Sequence, residues 1–461
     1  MKLYHRNWIY HILAMYILTM LASSCVTDGV KSPLNKGSSS PKTTLEVSHK
    51  VSIDDAEKHL IEILDDLNTR ALRSGADAPQ RKIVSRYSTG RTSSMRTSEG
   101  EEPYVHIFNF EGNNGYAIMS SDDRVSPLLA LTFNGSLTPN VAVENPGMIV
   151  FLANMEEHYK REVEAQNELI EKFKALGLQI EFGPWKTWGY GMIGGSCKVQ
   201  WGQDFPYNMY CPTKNGTKTI TGCVATAVAQ LMSVYEYPKS YQGYSFDWSE
   251  MNKHINNNRP YPAAYSQIAR LMQQLGSKNN LNMDYGLASD GGSGANPKNI
   301  PRTLKNFGFS NGGKLRSYDT GTVVGDLQYG HHVLIGGFEY RTLHKDKFLG
   351  ITIRKHYTYS NGHRWLAHGL LERKRTMYIY DKNHSLISKT SQSLWYPLCN
   401  FGWDGDGDGY YLSGAFDESS GPAYDWEGPF LRSITNSETG LSEGTPSNFQ
   451  YNVTAVTGIR K

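Results

Sequence analysis

A cysteine near the middle of the chain has the surroundings that a reactive thiol needs. Cys223 follows the small-residue pair Thr221-Gly222 and precedes an apolar, helix-favouring run that extends to Tyr235. This pattern predicts a thiol in the first turn of a buried helix, where free amide N–H groups and the helix dipole favour a thiolate. The alternative is a small core cysteine, because free cysteines are among the most buried residues. The residues that could assist a thiolate bear on that choice.

A thiolate nucleophile needs a base that lies close to it in space. The pair His331-His332 follows Gly330 and opens an apolar run from Val333 to Phe338. Because side chains alternate along a strand, only one of the two imidazoles can face the thiol. The alternative for a histidine at a strand end is a solvated or merely hydrogen-bonded side chain.

Two amide side chains complete the candidate set. Asn400, flanked by the aromatic Phe401, can accept a hydrogen bond from the histidine ring and so fix its tautomer. Gln203 lies twenty residues before Cys223, and its amide can join the backbone N–H of that cysteine in stabilising an oxyanion. The alternatives are a turn asparagine beside Gly-rich sequence and a surface glutamine in a loop.

The composition fits a globular protein of two or three domains and excludes several partners. The 461 residues are 39% hydrophobic and 12% aromatic, with a net charge of +3. The sequence contains no basic tract of the kind that nucleic-acid binding needs, and no CxxC pair indicates zinc. We therefore expect no nucleic-acid partner, no metal and no cofactor.

The chain has five cysteines. Beyond Cys25 and Cys223, three remain, and two of these three could form one disulfide: Cys197, Cys211 and Cys399.

Three alternating aspartates, Asp404, Asp406 and Asp408, imitate the start of an EF-hand loop. Ala415 stands at the twelfth position, where calcium binding needs a bidentate glutamate. We therefore expect a Gly-rich turn here rather than a calcium site.

The first 25 residues have the features of an export signal. Two basic residues precede a short apolar run, Trp8 to Met20, and a small-residue cleavage site that ends at Cys25. Cys25 is placed like the lipidated cysteine of bacterial lipoproteins, although Ala22 stands where leucine is more usual. The alternative is ordinary secretion with cleavage nearby. Both indicate a bacterial protein that acts outside the cytoplasm, either secreted or held at the outer membrane or cell surface.

The chain divides into a signal (residues 1–25), a flexible tether (26–50), a first domain (51–190) and a second domain (191–461). The first domain has predicted helices from Ser52 and over 148–175, strands at 104–110, 116–120 and 128–133, and a mobile segment at 84–102. Glycines over 178–196 predict a protease-sensitive junction. In the second domain, helices precede strands, and this order predicts an α+β fold.

The motifs together resemble the streptopain family of bacterial cysteine peptidases. They are Trp201-Gly202-Gln203, Thr221-Gly222-Cys223-Val224-Ala225, Gly330-His331 and Asn400-Phe401-Gly402-Trp403, and Gly115–Val125 resembles the propeptide of that family. The resemblance implies a papain-like catalytic domain of two subdomains, preceded by an inhibitory α+β prodomain. Carried over by position, Cys223 is the nucleophile, His331 the base, Asn400 the residue that orients the base, and Gln203 part of the oxyanion hole.

The resemblance implies a secreted or lipid-anchored cysteine endopeptidase that is made as a zymogen. Its partners would be protein or peptide substrates and its own prodomain, with membrane attachment through Cys25. Three departures from the family pattern are Gly336-Gly337, Phe401 in place of tryptophan, and a basic insertion between Tyr340 and Trp395. The alternatives are a catalytically degenerate binding lipoprotein on the same fold, and an amidase or transferase that uses the same thiolate.

Overall fold

The computed structural model describes residues 49–73, 81–89, 104–139, 143–188, 196–348, 351–417 and 451–461. The predicted export signal, most of the tether and the glycines at 189–195 lie outside the described residues. His49–Lys461 form one structural unit. Among the described helices, none is both long enough and apolar enough to cross a membrane.

The first domain consists of a four-stranded antiparallel meander and two long helices. Its elements are α1 (Ile53–Arg73), β1 (Ile83–Thr89), β2 (Val105–Phe110), β3 (Tyr116–Ser120), β4 (Leu128–Thr132) and α2 (Pro146–Ala175). Helix α2 begins where Asn145 accepts hydrogen bonds from the N–H groups of Gly147 and Met148, at 2.9 and 3.3 Å. The mobile segment predicted over 84–102 is wrong for residues 84–89, because they pair with β2 as strand β1.

Two short strands follow α2 in the segment that was predicted to be a junction. They are β5 (Gln179–Phe182) and β6 (Lys186–Trp188). Both pair antiparallel with the long strand β13 of the second domain. The part of the junction before residue 189 is therefore bound along a sheet edge.

The second domain has its helices first and its long strands later, as predicted. The helices are α3 (Cys223–Tyr235), α4 (Trp248–Met251), α5 (Tyr265–Gly276), α6 (Ile300–Asn306) and α7 (Thr320–Gln328). The strands are β7 (Thr213–Lys214), β8 (Thr217–Lys218), β9 (Ser240–Tyr241), β10 (Tyr244–Ser245), β11 (Asn311–Ser317), β12 (Val333–Phe348), β13 (Ile351–Tyr380), β14 (Leu386–Asn400), β15 (Gly409–Tyr411) and β16 (Tyr451–Arg460).

One antiparallel sheet runs through both domains. In the part of the chain that the structure describes, twelve strands join it, in the order β1-β2-β3-β4-β15-β14-β13-β12-β16-β11, with β5 and β6 on β13. The two domains meet where Leu131 of β4 pairs with Tyr410 of β15. The α+β prediction is confirmed by these helices and antiparallel strands.

The two faces of this sheet pack against different cores. Ile335 and Trp365 belong to a core that also contains first-domain residues, whereas Leu334 and Leu366 belong to a core around α3. Because consecutive strand residues point to opposite faces, the sheet separates the first domain from α3 at this point.

Candidate active site

Helix α3 begins at Cys223, as the sequence predicts. The preceding Gly222 has a φ of 85°, and a Cβ there would lie 2.7 Å from the carbonyl oxygen of Ser293. Glycine is therefore required to turn the chain into the helix.

The thiol of Cys223 is buried, and only 9% of the residue is exposed. Burial raises the pKa of this thiol, and this effect outweighs the hydrogen bonds from the N–H groups of Arg364, Val224 and Cys223, and the charge of Arg364. The helix start thus supplies the predicted donors, but the thiolate expected from them is not favoured in this form of the protein, because desolvation acts more strongly.

The structure brings Gln203 close to the start of α3. The N–H of Thr221 donates to the carbonyl oxygen of Gln203 at 3.0 Å. One turn further along, the hydroxyl of Thr226 donates to the carbonyl oxygen of Gly202 at 3.3 Å. The loop that carries Gln203 therefore lies alongside the first turns of the helix.

The neighbour of the thiol on the sheet is the segment Gly362-His363-Arg364 of β13. The Sγ atom of Cys223 lies 3.9 Å from the carbonyl oxygen of Gly362. His363 is nearly buried, and its Nε2 lies 2.8 Å from the carbonyl oxygen of Phe401. Burial lowers the pKa of His363 to about 4, so the ring is neutral at pH 7. The thiol of Cys223 thus contacts Gly362, whereas the imidazole of His363 contacts Phe401, so the two side chains are not paired in this structure.

His331 does not lie beside the thiol in this structure. In the sheet, Gly337 pairs with His363, and His331 precedes Gly337 by six residues. At a rise of about 3.3 Å per residue this places His331 roughly 20 Å from the segment that contacts Cys223.

The contacts of His332 indicate the same placement of the His331-His332 pair. Its Nδ1 lies 3.1 Å from the hydroxyl of Tyr235, at the last residue of α3. Because Tyr235 is twelve residues after Cys223, the two ends of the helix are about 18 Å apart. His332 also contacts the hydroxyl of Ser196, so the His331-His332 pair lies at the end of α3 opposite the thiol.

His363, which the sequence analysis did not consider, is the histidine whose strand segment contacts Cys223. Gly362-His363 is a second Gly-His pair, and like the first it precedes an apolar stretch, Trp365 to Ala367. This signal could have made His363 a candidate, but the choice between the two pairs depends on strand register.

Asn400 is buried near the site but does not contact the imidazole through its side chain. Its Nδ2 donates to the carbonyl oxygen of Val199 at 2.7 Å, and its Oδ1 accepts the N–H of Gly402 at 3.1 Å. The group that holds the ring of His363 is instead the backbone carbonyl of Phe401.

The three alternating aspartates lie in a turn and have protein partners. The side chain of Asp404 accepts the hydroxyl of Tyr207 at 2.9 Å. Asp408 accepts the N–H of Phe401 at 2.8 Å and the amide of Gln200 at 3.3 Å. Within the described residues, no three His, Cys, Asp or Glu side chains come together as a metal site would need.

The start of helix α2 in the first domain packs against Phe401. A Cβ on Gly147 would lie 2.0 Å from Cδ1 of the Phe401 ring. Beside it, the Asn145 side chain donates to the carbonyl oxygen of Asp406 at 2.5 Å, and the N–H of Phe133 donates to that of Asp408 at 2.8 Å. The first domain thus covers the turn next to His363.

The disulfide that the sequence leaves room for is not formed. Cys197, Cys211, Cys223 and Cys399 all carry free thiols. Burial raises the pKa of Cys197 to about 12 and that of Cys211 to about 11.

A cysteine at the start of a buried helix, with a histidine strand beside it and an N-terminal domain that extends its sheet, is the arrangement that the sequence resemblance leads us to expect. The chain matches the Peptidase C10 family over residues 201–411 and the Spi protease inhibitor family over residues 56–159. These two matches, one in each domain, confirm the resemblance to the streptopain family and to its propeptide.

The chain is similar to curated peptidases over part of its length. It is 26% identical to streptopain of Streptococcus pyogenes over 241 residues, which are 45% of this chain and 56% of streptopain. It is 25% identical to the thiol protease/hemagglutinin PrtT of Porphyromonas gingivalis, over 32% of this chain and 17% of that protein.

Among solved structures, a fragment of prointerpain A from Prevotella intermedia has a TM-score of 0.49 and 20% identity, covering 83% of this chain and 99% of that one. Active interpain A from the same organism has a TM-score of 0.33 and 24% identity, covering 47% of this chain and 84% of that one.

Proposed function

We propose that this chain is the precursor of an exported cysteine endopeptidase, with Cys223 as nucleophile and His363 as base. The observation that carries the proposal is the 3.9 Å distance between Sγ of Cys223 and the carbonyl oxygen of Gly362, the residue before His363. The backbone beside the base thus lies next to the nucleophile, and catalysis requires the His363 imidazole, which faces the other side of the sheet, to turn towards Cys223.

The reaction would follow the thiol–imidazole mechanism. His363 leaves the carbonyl of Phe401 and takes the proton of Cys223, and the thiolate attacks the carbonyl carbon of the peptide bond. The resulting oxyanion accepts hydrogen bonds from the N–H of Cys223 and the side chain of Gln203. The imidazolium then gives its proton to the leaving amine as the C–N bond breaks, forming a thioester. Water, deprotonated by His363, hydrolyses that thioester and restores the thiol.

In the precursor, we propose that the inhibitor domain keeps the two groups apart. Its helix α2 packs on Phe401, whose carbonyl oxygen is bound to the ring of His363. Desolvation keeps both Cys223 and His363 in their neutral forms. Both observations support the proposal that the Cys223 thiol is unreactive in the precursor and becomes reactive when the inhibitor domain leaves.

We propose that maturation cuts the chain after Trp188. Residues 179–182 and 186–188 are paired with β13, and a paired backbone is a poor protease substrate. The Gly-rich stretch 189–195 follows directly. The pairing supports the proposal of an inhibitory prodomain at residues 51–190 and a catalytic domain at 191–461.

Export is proposed from the first 25 residues, whose basic start, apolar run and small-residue site have the order of a signal peptide. Attachment to a membrane through a lipidated Cys25 is a separate proposal. Mass spectrometry of the processed N-terminus distinguishes a lipidated Cys25 from an unmodified secreted terminus.

The test is Cys223→Ala in the full chain, followed by N-terminal sequencing and by hydrolysis of a peptide substrate. We expect the variant to remain unprocessed and to be inactive after its prodomain is removed by an added protease. Cys211→Ala is the matched control, because it removes another buried thiol and should leave both activities in place. Self-processing or hydrolysis by Cys223→Ala at the unsubstituted rate refutes the proposal.

A further inference from the structure

Arg364 follows His363 on β13 and is almost completely buried, with 4% of the residue exposed. By strand alternation it shares the face of Leu366 and of the α3 core, whereas His363 shares the opposite face with Trp365. Arg364 is therefore on the same side of the sheet as Cys223.

Its guanidinium is held by neutral oxygen atoms. Nη1 donates to the carbonyl oxygens of Leu334 and Thr454, at 3.0 and 3.2 Å, and Nη2 donates to the hydroxyl of Thr454 at 2.8 Å. Across the described ranges, no carboxylate forms an ion pair with it. A buried cation without a counter-ion is costly, so its retention calls for a reason.

The sheet is built to accommodate this side chain. Gly336 pairs with both Arg364 and Thr454, so the three residues form one row across β13, β12 and β16. A Cβ on Gly336 would lie 2.6 Å from Cζ of Arg364. Because Gly336 has no side chain, the guanidinium can pass over it and reach Thr454. Gly336 belongs to one of the departures from the family pattern.

Arg364 lies two residues after Gly362, whose carbonyl oxygen is 3.9 Å from Sγ of Cys223, and its charge acts on this thiol. Burial lowers the pKa of Arg364 to about 10, which still leaves it charged at neutral pH. That charge, together with the backbone N–H of Arg364, favours the thiolate form of Cys223 and opposes the effect of burial.

We propose that Arg364 is a fixed counter-charge for the Cys223 thiolate, held on the same face of the sheet as the nucleophile by Gly336 and Thr454 and independent of His363. This rests on the proposed function of Cys223 as nucleophile and adds a residue to the same site. The positive charge is in place while the imidazole of His363 still faces the other side of the sheet. Arg364 therefore acts on the ionisation of the thiol, before and after the base arrives.

The test measures the alkylation rate of Cys223 by iodoacetamide as a function of pH in the full chain, with the labelled peptide identified by mass spectrometry. Replacing Arg364→Met should raise the apparent pKa of the thiol by about one unit and slow alkylation at pH 8 about tenfold. Arg364→Lys keeps the charge and should retain most of the unsubstituted rate.

Arg375→Met is the matched control. Arg375 is also a buried arginine whose pKa is lowered to about 10, but it packs on the rings of Phe182 and Trp185. Its replacement should leave the alkylation profile unchanged. If Arg364→Met does not fold, Arg364→Gln serves as the charge-free variant, since its amide keeps a hydrogen-bond donor on a neutral side chain.

A folded charge-free variant that alkylates at the unsubstituted rate over the whole pH range overturns the inference. This outcome is separable from failure of the proposed function, because alkylation needs no catalysis. If Cys223→Ala keeps its peptidase activity, the proposed function fails whatever the alkylation profile shows.

Discussion

The carbonyl oxygen of Phe401 lies 2.8 Å from Nε2 of His363, and this contact connects the candidate base to the inhibitor domain. The N–H of the same residue donates to Asp408. Its ring occupies the space above Gly147, in the first turn of α2. A displacement of α2 therefore changes the environment of the backbone group that holds the imidazole.

Replacing Gly147→Ala tests that connection. A Cβ at this position would lie 2.0 Å from the Phe401 ring, so helix and ring must separate. We expect a destabilisation of about 1–3 kcal/mol and faster conversion to the mature form, measured by thermal unfolding and by a processing time course. Gly325→Ala in α7 is the control, because nothing lies within 4 Å of its Cβ. Unfolding temperature and processing rate that match the parent chain would contradict the expectation.

The role of Gln203 is tested by Gln203→Ala. If its side chain stabilises the oxyanion, kcat should fall by about 10²–10³ while KM changes little. Gln392→Ala removes a partly buried glutamine that bonds Arg375 instead, and it should leave kcat unchanged. Steady-state hydrolysis of a peptide by the mature forms measures both. A fall in kcat/KM that comes only from KM would assign Gln203 to substrate binding.

Asp408 predicts a pH dependence of precursor stability. Burial raises the pKa of this carboxyl from 3.8 to about 7. Between these values the folded chain keeps a proton that the unfolded chain has lost. The contribution of Asp408 to the free energy of unfolding therefore decreases as pH rises towards 7, and is constant above it.

Asp408→Asn removes this contribution. We expect the stability of the variant relative to the parent to increase by a few kcal/mol between pH 4 and pH 8. Urea unfolding of both chains in the Cys223→Ala background, which prevents self-cleavage, measures the difference. Asp290→Asn, at an exposed aspartate paired with Lys214, is the control and should show no such trend. A stability difference that is constant with pH would show that Asp408 is ionised in the folded chain.

The parts of the site that local sequence specifies were predictable. Thr221-Gly222 before an apolar helical run places Cys223 at the start of α3, and the order of helices and strands gives the fold class. Gln203 was predictable because its motif precedes the helix closely along the chain. The serine cap of α1 is likewise local, since Ser52 accepts the N–H of Asp55 at 3.1 Å.

Which histidine segment lies near Cys223 was not predictable from local pattern, because it depends on register between strands far apart in sequence. Both His331 and His363 follow a glycine and precede an apolar run. The pairing of Gly337 with His363 separates the two histidines along the sheet. The contact of Cys223 with Gly362 then shows that the His363 end lies beside the thiol. The contact of the Asn400 side chain was not predictable for a related reason: its partner, the carbonyl of Val199, is about two hundred residues away.

The most direct test of this account compares His363→Ala with His331→Ala in the full chain, by self-processing and by hydrolysis of a peptide after the prodomain is removed. If His363 is the base, its variant should lose activity by a factor of about 10³ or more. The His331 variant should process and hydrolyse at close to the unsubstituted rate, since that residue lies at the far end of α3. The reverse result, activity lost with His331 and retained without His363, would contradict the assignment.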